Sequence, residues 1–173
     1  LHALPVYHVH GLFVAIHCVL LSGSRMLWLP KFDAREVMAL LPMATVMMGV
    51  PTLYTRLLAE PSFGRAQTDG VRLFVSGSAP LLPETFREFE ERTGQRILER
   101  YGMTETLMTI GNPYEGERRP GTVGRPLPGV ELRVVDAATG VEVVEVFEVV
   151  VDVEVLAVDG WSAAVVLVVA VVV

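Results

Sequence analysis

An α/β fold is what the sequence predicts: a mostly parallel sheet with flanking helices, followed by the start of a β-rich subdomain. From residue 33 to residue 103, compact apolar runs of strand length alternate with amphipathic stretches of helical period, joined by short links. Three strand ends, "GVPT", "SGSAP" and "RYGMTET", carry glycine beside small or hydroxyl residues. Ligands of such sheets gather at the carboxyl ends of the strands. After Gly129 the period becomes an alternation, in "VELRVVD", of the kind an antiparallel strand shows.

In chain order, "YHVHGL" places His8 and His10 two residues apart, on one side of a strand if the segment is extended. Leu12 to Leu21 is apolar on nearly all sides, which suits a buried helix too short to span a bilayer. Its Cys18, the one cysteine of the chain, reads as a small buried hydrophobe. A short strand ending at Pro30 follows. In "FDAREVMALLP", Asp33 can cap a helix with Glu36 three residues later, and Pro42 ends it. "MATVMMGV" suits a buried strand, and Pro51 takes the favoured first position of the next helix. "VRLFVSG" is a further strand. "PETFREFEERTG" is an amphipathic helix with Phe86 and Phe89 on one face and Gly94 as its stop. "QRILERYG" returns to a strand. Residues 112–129, rich in Gly and Pro, read as a long loop.

These patterns divide the chain into an α/β subdomain over residues 1–129 and a second subdomain over 130–173. Within the latter, 141–173 is a degenerate valine-rich tail, about half valine, with no Lys or Arg and a single glycine, Gly160. With so few turn residues it is hard to fold compactly, and exposed it would favour aggregation. We assign it no chemistry. A formal charge of −6 gives no sign of a nucleic-acid partner. A single cysteine excludes a disulfide framework and fits a reducing, cytoplasm-like compartment. The opening "LHALPVYHVHGLF" has no basic n-region and no small-residue cleavage site, so it is not a signal peptide. It reads as the interior of a domain, and the chain is expected to be a piece of a longer protein.

Several residues could carry chemistry. In "SGSAP", the small side chains of Ser78, Ala79 and Pro80 would let a flat ring approach the backbone; the alternative is a plain turn. In "RYGMTET", Tyr101 offers a stacking face, Gly102 a turn, Thr104 a hydroxyl and Glu105 a carboxylate. Hydroxyl and carboxylate together suit a Mg²⁺–phosphate; the alternative is a solvated loop acid beside a core tyrosine. His10 suits a donor to an anion better than a zinc ligand, since no acid or cysteine nearby completes a metal set. His8 reads equally well as a core histidine. Arg56 and Arg100 can each grip a carboxylate, or form surface salt bridges, Arg100 with Glu99. No G-x-x-x-x-G-K-[ST], G-x-G-x-x-G or G-x-S-x-G motif occurs.

Taken together, "PVYHVHGL", "GVPTLYTRLL", "LFVSGSAPL", "ERYGMTET" and "RPGTVGRPLPGVELRVVD" resemble the adenylate-forming acyl-CoA synthetases, in order and spacing, from Leu1 to about Gly140. "YHVHGL", "SGSAPL" and "ERYGMTET" resemble the malonyl-CoA synthetase branch. The resemblance implies part of the N-terminal domain of such an enzyme. It implies the substrates ATP, coenzyme A and a small carboxylic acid, malonate or methylmalonate, with Mg²⁺ as cofactor, in a two-step reaction through an acyl-adenylate. By that resemblance Ser78, Ala79 and Pro80 line the adenine with Tyr101 against the ring. The run Glu99, Arg100, Tyr101, Gly102, Met103 and Thr104 follows the nucleotide, Thr104 meets phosphate, and Glu105 holds Mg²⁺. The acyl substrate falls to His10, Arg56, Ser78 and Arg100. The family also implies a phosphate-binding loop, expected before Leu1, and a C-terminal domain with an adenylation lysine. Its ribose-binding aspartate is expected after a stretch like "DGW", yet Asp159–Trp161 is followed by "SAAVV". Other expectations left open are a ligase for a fatty or aryl acid, with both arginines structural, and a non-catalytic remnant.

Overall fold

The computed structural model describes residues 1–136, 152–156 and 165–171. They fall into two compact units, Leu1–Gly124 and Arg125–Val173. In the first unit a π-helical run, His10–Ile16, leads into α1 (His17–Leu21). Then come α2 (Ala34–Leu40), a 3₁₀ turn (Leu41–Met43), β1 (Val46–Gly49), α3 (Pro51–Leu58) and α4 (Arg65–Thr68). β2 (Leu73–Ser76), α5 (Pro83–Thr93), β3 (Leu98–Met103) and β4 (Leu107–Gly111) complete it.

Local sequence explains most of these bounds. The Asp33 carboxylate accepts from the backbone N–H groups of Arg35 and Glu36, at 3.0 and 3.1 Å, and starts α2. Pro51 and Pro83 stand at the starts of α3 and α5, and α5 stops at Gly94 in the left-handed region. Strands β1, β2 and β3 pair in parallel, with Gly49 beside Ser76 and Ser76 beside Glu99, so their carboxyl ends come together. β4 folds back antiparallel on β3.

One face of this sheet, carrying Met47 and Phe74, packs on α3 and α5. Tyr54, Phe74, Phe89 and Phe63 meet there, with Phe74 and Phe89 edge to face at 4.9 Å. The Tyr54 hydroxyl donates to the Val75 carbonyl at 2.6 Å, tying α3 to the end of β2. Arg92 of α5 donates to the carbonyls of Leu58, Glu60 and Phe63 and fixes the chain leaving α3.

Several expectations are corrected here. Residues 12–21 are not a buried helix. Only His10, Gly11, Val14 and Ala15 face inward, whereas Leu12, Phe13, Leu20 and Leu21 are exposed. The wider π turn shifts the inward stripe out of phase with the α-helical turns that follow, and α1 buries nothing. Cys18 is therefore exposed. His8 and His10 share a turn and helix start rather than a strand. His8 is exposed, and its Nδ1 accepts the His10 backbone N–H at 3.2 Å. The strand expected before Pro30 reduces to one bridge between His2 and Trp28.

In the second unit β5 (Arg125–Pro126) precedes β6 (Val130–Asp136), and β7 (Asp152–Leu156) and β8 (Val165–Val171) lie in the valine-rich stretch. β8 stands between the other two long strands, antiparallel to β7 and parallel to β6. The antiparallel expectation for β6 fails because alternation reports the pleat and the buried face, not the sense of the neighbour. The turn expected at residues 137–140 and the "DGW" stretch at 159–161 lie outside the described residues. Among the described residues, no helix is long and apolar enough to cross a membrane.

Candidate active site

Strand β3 supplies most of the site, and its alternation divides the work. Glu99 and Arg100 are neighbours on a pleated strand, so their side chains leave opposite faces. Among the described residues no ion pair joins them, which removes the expected Glu99–Arg100 salt bridge.

Glu99 goes to the face that packs on α5. It is 4% exposed, and its Oε1 accepts the backbone N–H of Leu81 at 2.8 Å, bracing the loop between β2 and α5. Its Oε2 is buried without a partner. Burial pushes its carboxyl up to about 7, against a smaller opposing effect of the Leu81 bond. The Glu99 carbonyl accepts from both the backbone and side-chain N–H groups of Asn112, at 3.0 and 3.1 Å.

Arg100 goes to the other face. It is 5% exposed, and its Nε and Nη2 are buried without partners. Burial pulls its guanidinium down to about 10, with Tyr54 and Cys18 acting in the opposite direction, so it is still a cation at neutral pH. A buried charge without a counter-charge is costly. Beside it lies His10, 1% exposed, whose Nδ1 is 3.2 Å from the Ser78 hydroxyl. Burial first, then the charge of Arg100, push the His10 imidazole down to about 3, so it is neutral at physiological pH. Its Nε2 is buried and unpartnered. Ser78 is held at φ 68°, in the left-handed region that non-glycine residues avoid at a cost of roughly 1 kcal/mol or more. The structure thus brings together His10, Ser78 and Arg100: a cation, a neutral imidazole and a hydroxyl.

The remaining candidates lie along the exposed rim. Ala79 and Pro80 are exposed in the loop after β2. Tyr101 is half-buried, with its hydroxyl 3.9 Å from the sulfur of Met103. Burial, and secondarily the charge of Glu105, raise its pKa. Gly102 sits at a bulge in the β3–β4 pair, where a side chain would run into the Leu107 carbonyl. Thr104 and Glu105 are exposed on the turn joining β3 to β4, which is closed by the Thr106 N–H on the Met103 carbonyl at 3.3 Å. Arg56 is exposed on α3, its guanidinium 4.6 Å from the Phe32 ring centroid. A groove of about 980 Å³ opens elsewhere, lined by Ala15, Cys18, Val46 and Met48 among others, and contains none of the candidate residues.

Two participants were missed by sequence reasoning. Asn112 falls in the stretch read only as a long loop, and the bracing of Leu81 by Glu99 spans eighteen residues with no local signal.

The chain matches the family described as AMP-binding enzyme over residues 1–150. It is 42% identical over 151 residues to the mitochondrial malonate–CoA ligase of Mus musculus, a match covering 78% of this chain and 26% of that protein. ATP-bound MatB from Rhodopseudomonas palustris superposes with a TM-score of 0.79 at 56% identity, over 82% of this chain and 28% of that one. A malonyl-CoA ligase in a ternary product complex with methylmalonyl-CoA and AMP superposes with a TM-score of 0.69 at 43% identity, over 74% of this chain and 29% of that one. The chain spans about a quarter of the length of the curated relatives it matches.

Proposed function

The chain belongs to the AMP-binding enzyme family, and on that premise we propose that its gene product is an ATP-dependent acid–CoA ligase acting on malonate or methylmalonate. One observation carries the substrate class. Arg100 is a buried cation with two nitrogens, Nε and Nη2, facing no partner, next to the Ser78 hydroxyl and a neutral His10. A dicarboxylic acid has one carboxylate to spend on chemistry and a second to satisfy such a cluster, with two parallel bonds to the guanidinium. A monocarboxylic acid leaves Arg100 uncompensated.

In the reaction, an oxygen of the reacting carboxylate attacks the α-phosphorus of ATP and the bond to pyrophosphate breaks. The coenzyme A sulfur then attacks the acyl carbon, AMP leaves, and the thiol proton is released. The chain's part is positioning. The His10–Ser78–Arg100 cluster anchors the distal carboxylate. The exposed backbone of Ser78, Ala79 and Pro80 and the run from Glu99 through Thr104 border the nucleotide, with Tyr101 against the adenine. Arg56 is a second cation for the acyl end.

The rim suits Mg²⁺, which keeps several waters and takes one or two carboxylates together with substrate phosphates. Glu105 is a solvent-facing carboxylate beside the Thr104 hydroxyl. When bound there, the ion neutralises phosphate charge. We place the protein in a reducing compartment such as the cytoplasm, which fits its exposed Cys18 thiol.

The test is pyrophosphate release by the full gene product with ATP, Mg²⁺ and coenzyme A, comparing malonate, methylmalonate, acetate and a medium-chain acid. Malonate or methylmalonate is expected to lead. Preference for a monocarboxylate would overturn the assignment.

A further inference from the structure

The position before Ser78 has a role of its own. Gly77 is buried between two strand ends, and its N–H donates to the Gly49 carbonyl at 3.3 Å. A Cβ at this residue would stand 2.8 Å from Arg100 Nη1, 2.9 Å from Cζ and 3.2 Å from the Arg100 carbonyl. The guanidinium therefore occupies the volume that a side chain at residue 77 would need. Gly77 is outside the left-handed φ region, so the backbone itself accepts a larger residue. What alanine would disturb is chiefly the position of the guanidinium, with a smaller shift of the Arg100 carbonyl.

That position matters because, among the described residues, no ion pair holds the guanidinium and its Nε and Nη2 are unpartnered. His10 on the same side is neutral. A guanidinium that no carboxylate among the described residues holds is placed by packing, and the space beside Gly77 is part of its seat. Ser78 follows directly, so a displaced guanidinium also alters the gap between the cation and the Ser78–His10 pair. We infer that Gly77 is a specificity-determining position, whose missing side chain seats Arg100 where it receives the distal carboxylate of a dicarboxylic acid. It acts through Arg100 and is a positioning residue. The inference rests on the malonate-type reading above.

The test is a double-mutant cycle in the full gene product: wild type, Gly77→Ala, Arg100→Ala and the pair. The readouts are kcat and KM for malonate, propionate and ATP. Misplacing a binding group by an ångström costs up to about a hundredfold, so Gly77→Ala is expected to raise the malonate KM roughly tenfold. The KM for ATP should stay within about twofold, and the preference for malonate over propionate should fall. In the Arg100→Ala background the same substitution should change the malonate KM by less than about twofold, because the group it displaces is gone. Equal effects in both Arg100 backgrounds, or equal loss with malonate and propionate, overturn the Gly77 inference and leave the substrate reading standing. A wild type indifferent to malonate overturns the substrate reading, and the specificity role with it. If Gly77→Ala does not fold, the pair with Arg100→Lys should, since the slimmer ammonium clears the new methyl. Failure of that pair to fold would also overturn the inference.

Discussion

Arg100 and His10 lie almost wholly inside the protein, whereas Thr104 and Glu105, a few residues further along the same strand and turn, stand in solvent. At the inner end, cation, imidazole and hydroxyl are fixed by the sheet, the His10 helix and a strained Ser78 before any ligand arrives. The outer end is a short turn with an exposed hydroxyl and an exposed carboxylate, and among the described residues no buried cation stands beside them. The inner end is preorganised and costs stability; the outer end costs little. On the proposed reading, specificity for the acid falls to the buried inner end, and phosphate and metal binding fall to the open rim.

The comparison is broken most forcefully at Arg100. Removing one member of a buried, hydrogen-bonded charge pair costs about 2–5 kcal/mol, so Arg100→Ala should lower kcat/KM for malonate by roughly a hundredfold or more. Stability should move the other way. Arg100→Met takes an uncompensated charge out of the interior and is expected to raise the thermal midpoint, by about 1 kcal/mol or more of stability. Loss of both activity and stability would mean that the guanidinium is structural.

Glu105→Gln probes the outer end. Its effect should be smaller, about a tenfold rise in the Mg²⁺ concentration needed for half-maximal rate. Because the side chain is exposed, the melting temperature should not change measurably. A large drop in stability would contradict the picture of a solvated, inexpensive rim.

The two faces of β3 also differ in their response to pH. Glu99 is held up to about 7, so between the ordinary glutamate range and about 7 the folded state carries more protons than the unfolded one, and stability falls as pH rises. His10 is held down to about 3, so between about 3 and the ordinary histidine range the unfolded state carries more protons, and stability rises with pH. Glu99→Gln keeps an acceptor for the Leu81 N–H and removes the first effect. Near pH 5 its melting temperature should match the wild type. Near pH 8 it should exceed the wild type by roughly 4 °C or more. Unchanged offsets across that range would show that Glu99 ionises as in water.

What the sequence made legible follows from range. Helix starts at Asp33, Pro51 and Pro83, the stop at Gly94, and the apolar strands are local signals, and they stand where expected. The three glycine-marked strand ends stand side by side at the carboxyl ends of β1, β2 and β3. The return strand β4 was not legible, because its turn places a positive φ on Leu107 rather than on glycine or asparagine. The π-helical phase shift that exposes Cys18 has no sequence signature. The partners of Glu99 and Arg100 were misjudged because adjacency in sequence suggested a pair that strand alternation forbids. Gly77 was visible only as turn punctuation; its contact with Arg100 crosses from one strand to the next.

Arg56 sharpens the comparison with the smallest effect. It belongs by motif with the inner end, yet it is exposed and lies over Phe32, a side chain partly buried against the core. An exposed cation over an aromatic ring is worth about 0.5–1 kcal/mol, so leaving Phe32 to meet a substrate carboxylate costs no more than about fivefold in affinity. Arg56→Ala is therefore expected to raise the malonate KM about threefold, with the KM for ATP unchanged. Phe32→Leu provides the complementary arm. It removes the resting place of the guanidinium, so the malonate KM should stay level or fall slightly in this variant, and only while Arg56 is present. If both variants leave malonate and propionate equally affected, Arg56 is a surface residue, and Arg100 alone supplies the positive charge at the acyl end.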